Sequence, residues 1–155
     1  MKKFIVILLA LLLSPVLNIV IANDLAELCQ NIPGVNIVDI DQSMLNRAVF
    51  PSNDSPIPLD RLADRLDKVQ IISITRNGPS RDKVMEVTTK YLESEPQFQR
   101  AMRTKDDTTF LMLYSRSLGG NKNEFLLMVE DNSDLTIIVL SGNVTMQDIG
   151  AFTSF

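Results

Sequence analysis

Histidine is absent from the 155 residues, and no other single fact about the chain removes more chemistry. Without an imidazole there is no Ser-His-Asp or Cys-His arrangement and no zinc site that uses histidine. The one cysteine, Cys29, excludes a thiolate cluster and an intrachain disulfide alike. Glycine is scarce, and its six copies form neither a phosphate-cradling loop nor a dinucleotide fingerprint; Gly119-Gly120 reads as a hairpin turn. Repeats and low-complexity segments are missing as well. Nothing in the pattern asks for a cofactor or a metal.

What is present begins at the N-terminus. Lys2 and Lys3 precede the apolar run Phe4 to Leu13, and the segment closes on Val20-Ile21-Ala22. A short basic region, an apolar core and small residues before a cut are the marks of a secretory signal peptide, so cleavage after Ala22 and export to the periplasm or cell envelope are expected. The rival reading is an uncleaved anchor, because Phe4 to Ala22 approaches the roughly 20 residues that cross a bilayer. Pro15 breaks a helix within that span. Lipid attachment at Cys29 is disfavoured by Glu27 and the bulky Leu28 before it, so no stable membrane anchor remains after cleavage. Losing Lys2 and Lys3 leaves 13 of the 15 basic residues against 19 acidic ones. An acidic chain without a basic patch or a run of exposed aromatics argues against nucleic acid as partner.

Residues 23–155 make one domain, long enough to bury a core without staples. A short helix through Leu25 to Cys29 precedes a turn at Asn31 to Gly34, and Val35 to Ile40 alternates as a strand, with Ile37 and Asp39 on one face. Asp41 or Ser43 caps the helix that carries Met44 and Leu45. Leu59, Leu62, Ala63, Leu66 and Val69 fall at helical spacing, and Gln70 to Thr75 reads as the strand after it. Ser80 caps a long helix that ends near Pro96. From there the period drops to two, with strands near Phe98 to Thr104, Thr109 to Ser115, Glu124 to Glu130 and Leu135 to Ser141, joined by short turns. Phe125 to Val129 and Ile137 to Leu140 are apolar on both faces, which places them centrally. Thr145 to Asp148 approximates a capping box for the last helix. The predicted fold class is α+β: a mostly antiparallel sheet of about five or six strands with helices packed on it.

Candidates for chemistry are few. Glu130-Asp131-Asn132-Ser133-Asp134 could present oxygens to calcium but lacks the spacing and glycine of the known loop, and reads better as a turn. Asp39 and Asp41 share a strand face and are a possible acid/base pair, or a strand end followed by a helix cap. Ser80, Ser115 and Ser141 are nucleophiles only with a lysine beside them, and no spacing selects one. Cys29 reads as a small apolar residue on a short helix. For binding, the loop Phe50 to Pro58 has no core-forming pattern: Phe50 and Ile57 supply apolar anchors, while Asn53, Asp54 and Ser55 supply polar contacts.

Three stretches carry a resemblance: Gly34 to Val38 followed by Met44-Leu45; Leu62 to Ile74; and Leu135 to Val144 leading to Asp148-Ile149. Through them the chain from Asp24 to Phe152 resembles a family of small exported proteins of Gram-negative bacteria, domain of unknown function 4252. Its members commonly look like envelope lipoproteins; this sequence lacks the lipidated cysteine, which argues against such a tether here. The family brings no established activity and no site residues. The expectation is a non-catalytic module that binds an envelope protein, peptide or glycan; the alternative is a small-molecule carrier or a carboxylate-dependent enzyme.

Overall fold

Tight turns decide how the second half of the chain folds. In the computed structural model, which describes residues 24–47 and 59–150, strands β3 (Gln99–Lys105), β4 (Phe110–Gly119), β5 (Lys122–Glu130) and β6 (Asp134–Gly142) run as consecutive antiparallel hairpins. Asp106 Oδ1 accepts from the amides of Thr108 and Thr109 at 2.7 and 2.6 Å, and Asp131 Oδ1 accepts from those of Ser133 and Asp134 at 2.7 and 2.8 Å. An aspartate that bonds its own downstream amides closes a turn by itself. Between β4 and β5 the left-handed backbone of Gly119 and Gly120, φ +97° and +60°, does the same.

Two strands from the first half complete the sheet. Helix α1 (Leu25–Cys29) leads to β1 (Asn36–Asp41) and α2 (Gln42–Leu45); α3 (Leu59–Leu62) passes through a 3-10 turn into β2 (Leu66–Thr75); and α4 (Arg81–Ser94) follows, with α5 (Met146–Gly150) closing the chain. The sheet order is β1-β2-β6-β5-β4-β3, antiparallel throughout. The α+β class and the six strands agree with the sequence reading, and so does the central position of β5 and β6.

Alternation then sorts the side chains into two cores. Leu66, Val69, Leu113, Phe125, Leu127 and Leu140 face one side, where Leu45, Leu62, Val144 and Ile149 cover them. Ile72, Ile74, Leu126, Ile137 and Val139 face the other, beneath Leu25, Cys29, Val84 and Tyr91. Burying each such side chain contributes about 1.5–3 kcal/mol relative to leaving it in water.

Two sequence expectations are corrected. Leu66 and Val69 belong to β2, not to the preceding helix, which is one α-turn extended by Ala63–Arg65. The pairing of β2 with β6 shifts register between Leu66 and Lys68, and this bulge puts Leu66 and Val69 in the same core. A three-residue spacing that reads as helical is here the trace of a bulge. Gly142, opposite Leu66, permits the close approach: its φ is +149°, and a Cβ there would collide with the Arg65 carbonyl and the Leu66 Cα. Ser80 sits at the N-cap of α4 but makes no cap hydrogen bond, because its backbone (φ −96°, ψ 0°) is not the extended one that aims the hydroxyl at the helix amides.

Leu127 and Val139 lie in opposite cores on the two central strands, 5% and 6% exposed. Leu127→Asp and Val139→Asp should each abolish cooperative folding, since neither face offers a partner for the charge. Circular dichroism melts check this; a variant melting like the parent would mean its face is open.

Candidate functional site

A cleft of about 600 Å³ opens on the first face of the sheet where β3 begins. Gln97, Gln99, Ser115, Ser117 and Asn123 line it with amides and hydroxyls, Phe125 lies at its base, and Thr145 and Met146 form the wall contributed by the start of α5. No lysine and no carboxylate is among the lining residues, so Ser115 has no base beside it.

The wall is held by the capping box that Thr145 to Asp148 predicts. Asp148 Oδ2 accepts from the Thr145 amide at 2.8 Å and the Thr145 hydroxyl at 2.7 Å, while the Asp148 amide reaches Thr145 Oγ1 at 3.3 Å. Arg65 adds an ion pair at 2.6 Å. Hydrogen bonds from Arg65 and Thr145 hold the Asp148 carboxyl down at about 2.

Arg116 borders the cleft along β4, but its side chain turns to the other face of the sheet, with Tyr91, Phe98 and Glu124. Arg116 donates to Glu124 at 2.9 Å and to Glu95 at 2.5 Å, and its guanidinium lies 4.6 Å from the centre of the Phe98 ring. Burial pushes the Glu124 carboxyl above the usual range, against the pull of Arg116. It is a raised carboxylate facing its own counter-ion rather than a substrate. Removing Arg116 would leave the half-buried Glu124 charge without its counter-ion, whereas removing Glu124 would leave Arg116 still paired with Glu95.

A second cleft, of about 510 Å³, lies between α1 and β1 on the opposite face, lined by Asp24, Glu27, Gln30, Ile37 and Asp39 among others. Lys68 Nζ reaches Asp24 at 2.7 Å and Asp39 at 3.5 Å, and the buried Gln70 amide donates to Asp39 at 3.1 Å. Burial alone would raise the Asp24 carboxyl, but hydrogen bonds from Lys68, the Glu27 amide and Gln70 outweigh it and leave the group below its ordinary value. Asp39 and Asp41 do share a face, yet they do not act together. Asp41 caps α2, accepting from Ser43 Oγ at 2.7 Å and the Met44 amide at 2.9 Å. A strand end followed by a helix cap is therefore the reading that fits.

The remaining sequence candidates also have structural duties. Asp131 closes its turn, and Glu130 binds Arg81 through both carboxylate oxygens at 2.8 Å. Among the described residues no three His, Cys, Asp or Glu side chains converge. Cys29 is fully buried, and burial pushes its thiol up to about 11, far from a reactive thiolate. Phe50, Asn53, Asp54 and Ile57 lie outside the described residues, as does the segment read as a signal peptide. Sequence reasoning missed Gln97, Gln99, Ser117 and Asn123. They sit on three separate segments, and only the pairing of β3, β4 and β5 brings them to one place.

The family model described as "Domain of unknown function (DUF4252)" matches residues 29–152. The chain belongs to the DUF4252 family. The match covers β1 through α5, and so every element that lines the first cleft. Comparison with curated proteins and with solved structures finds no match. In this DUF4252 protein the matched segment holds both the cleft and the Arg116 carboxylate network.

Replacing the carboxyl that anchors the cleft wall, Asp148→Ala, should cost about 1–2 kcal/mol at neutral pH, the usual scale for losing a cap. The folded-state value, about 2, lies below the ordinary 3.8, so this stability is present above about pH 4 and is lost as pH falls through 2. Urea midpoints of parent and variant should converge on acidification. A gap that stays constant would mean the Asp148 charge plays no part.

Proposed function

We propose that this is an exported cell-envelope protein that works as a non-catalytic binding module, taking an extended protein segment, a peptide or a glycan. The observation that supports the reading is the chemistry of the 600 Å³ cleft: amide and hydroxyl groups converge over Phe125 with no carboxylate in the lining, and Asp148, which braces the wall, is bound to Arg65. Such a lining can match the hydrogen-bonding groups of a neutral polar chain. It offers no activated nucleophile and no free acid/base pair. Met146, 39% exposed at the rim, supplies an adaptable apolar contact.

The loop carrying Phe50, Asn53, Asp54 and Ile57 is proposed as a second contact, on its composition alone. The enzyme alternative would need a carboxylate of raised pKa open to the cleft, and the raised carboxylate of Glu124 lies on the other face of the sheet, held by Arg116. Export is proposed from the N-terminal pattern: mass spectrometry of the expressed protein should find a chain starting at Asn23, and an intact Met1 or a lipid adduct on Cys29 would contradict it.

The binding reading is tested by amide chemical-shift mapping with defined neutral oligosaccharides and short uncharged peptides. Shifts should gather at Gln97, Gln99, Ser117, Asn123 and Thr145, vanish in Ser117→Trp, which fills the cleft, and leave the probes chemically unchanged. A variant with residues 51–57 replaced by glycine and serine measures the loop separately. Turnover of any probe, or shifts confined to the α1–β1 cleft, would overturn the assignment.

A further inference from the structure

Strand β3 is an edge of the sheet, and along it lie Arg100, Arg103 and Lys105, none with an ion-pair partner among the described residues. Apart from Arg47 and Arg61, every other described cation is paired. Arg103 rests 5.5 Å over the Phe110 ring, which leaves its charge without a carboxylate partner; in a chain of net charge −4 this is a concentration of unneutralised positive charge that composition does not predict. Register puts the three on one face: Arg100 is opposite Tyr114, Arg103 opposite Met112 and Lys105 opposite Phe110. A bulge between Arg100 and Met102 keeps them together and turns Gln99, Met102 and Thr104 to the face where the 600 Å³ cleft opens beside Gln99.

We propose that the free edge of β3 is a strand-addition site for an extended segment of another protein, one with acidic residues at alternate positions and neutral or apolar residues between them. This rests on the binding-module reading above and names its partner. An added strand would bond the unpaired amides and carbonyls of β3, place its carboxylates beside Arg100, Arg103 and Lys105, and direct its alternate side chains toward the cleft. Cations on an edge strand also deter a second basic edge from pairing, a general guard against aggregation. The same charge favours an acidic strand, and the cleft continuous with this edge has no place in a purely defensive design.

A second copy of this chain is the first rival occupant, because β1 reads Ile37-Val38-Asp39-Ile40-Asp41 on the opposite edge, also without a neighbouring strand among the described residues. Its carboxylates are committed, however: Asp39 to Lys68 and Gln70, Asp41 to the cap of α2. Pairing β1 with β3 head to tail would also leave edges free at both ends and grow without closing. The occupant is therefore a foreign segment.

The test titrates the protein, purified after expression of the full chain, with a blocked peptide alternating glutamate and valine. Its controls are the same peptide with lysine for glutamate and one with alternate amides N-methylated. The glutamate peptide should shift amides along residues 99–105, weaken with added salt, and lose at least about tenfold in affinity in Arg100→Glu/Arg103→Glu/Lys105→Glu, which should then prefer the lysine peptide. An unchanged urea midpoint shows that the triple variant is folded, as expected for exposed side chains. Equal binding of both peptides by the parent, no loss in the triple variant, or concentration-dependent self-association mapping to β1 and β3 would each overturn the proposal. Ser117→Trp separates the two readings. Binding lost there but kept in the triple variant preserves the cleft and sinks the edge; the reverse preserves the edge and sinks the cleft.

Discussion

The structure depends on one constraint: β5 and β6 have no polar face to give to water. Phe125 to Met128 and Ile137 to Leu140 are buried residue by residue, so the sheet must be covered on both sides along these strands. β5 and β6 take the middle, and β2, itself buried at Val69, Gln70, Ile72 and Ile74, is drawn against β6 although much of the chain separates the two. The polar strands are pushed outward. β1 and β3, mostly exposed, become the edges, and the surfaces open to partners are therefore at the rim of the sheet.

Electrostatics follows from the same division. Carboxylates near the sheet are satisfied locally: Glu124 and Glu95 by Arg116, Glu130 by Arg81 and Arg76, Asp24 and Asp39 by Lys68. Each of these groups fixes the position of an element rather than awaiting a substrate. Exposed pairs such as Glu86 with Lys83 and Lys90 on α4 add little. Three of the five described cations without an ion-pair partner, Arg100, Arg103 and Lys105, collect on an edge strand.

Most of the architecture was legible because period and turn chemistry are local. Asp131, Gly119-Gly120 and Thr145 to Asp148 announce their turns and cap in four residues or fewer. The central place of β5 and β6 follows from unbroken apolar runs. Leu66 to Val69 misled because a bulge mimics helical spacing, and a bulge is known only from its partner strand. The cleft was hidden for a related reason: Gln97, Asn123 and Thr145 are unremarkable singly, and register alone gathers them. Likewise Arg100, Arg103 and Lys105 do not look like a patch until the bulge at Ala101 sets them on one face.

Native-state hydrogen exchange tests the central claim most directly, since it reports strand by strand which hydrogen bonds open only when the whole domain unfolds. Amides of Phe125 to Val129 and Ile137 to Leu140 should be the slowest and share the free energy of global unfolding, while those of β1 and β3 exchange through local opening. Protection of β3 equal to that of β5, or local opening within β6, would contradict an architecture built outward from a doubly buried centre.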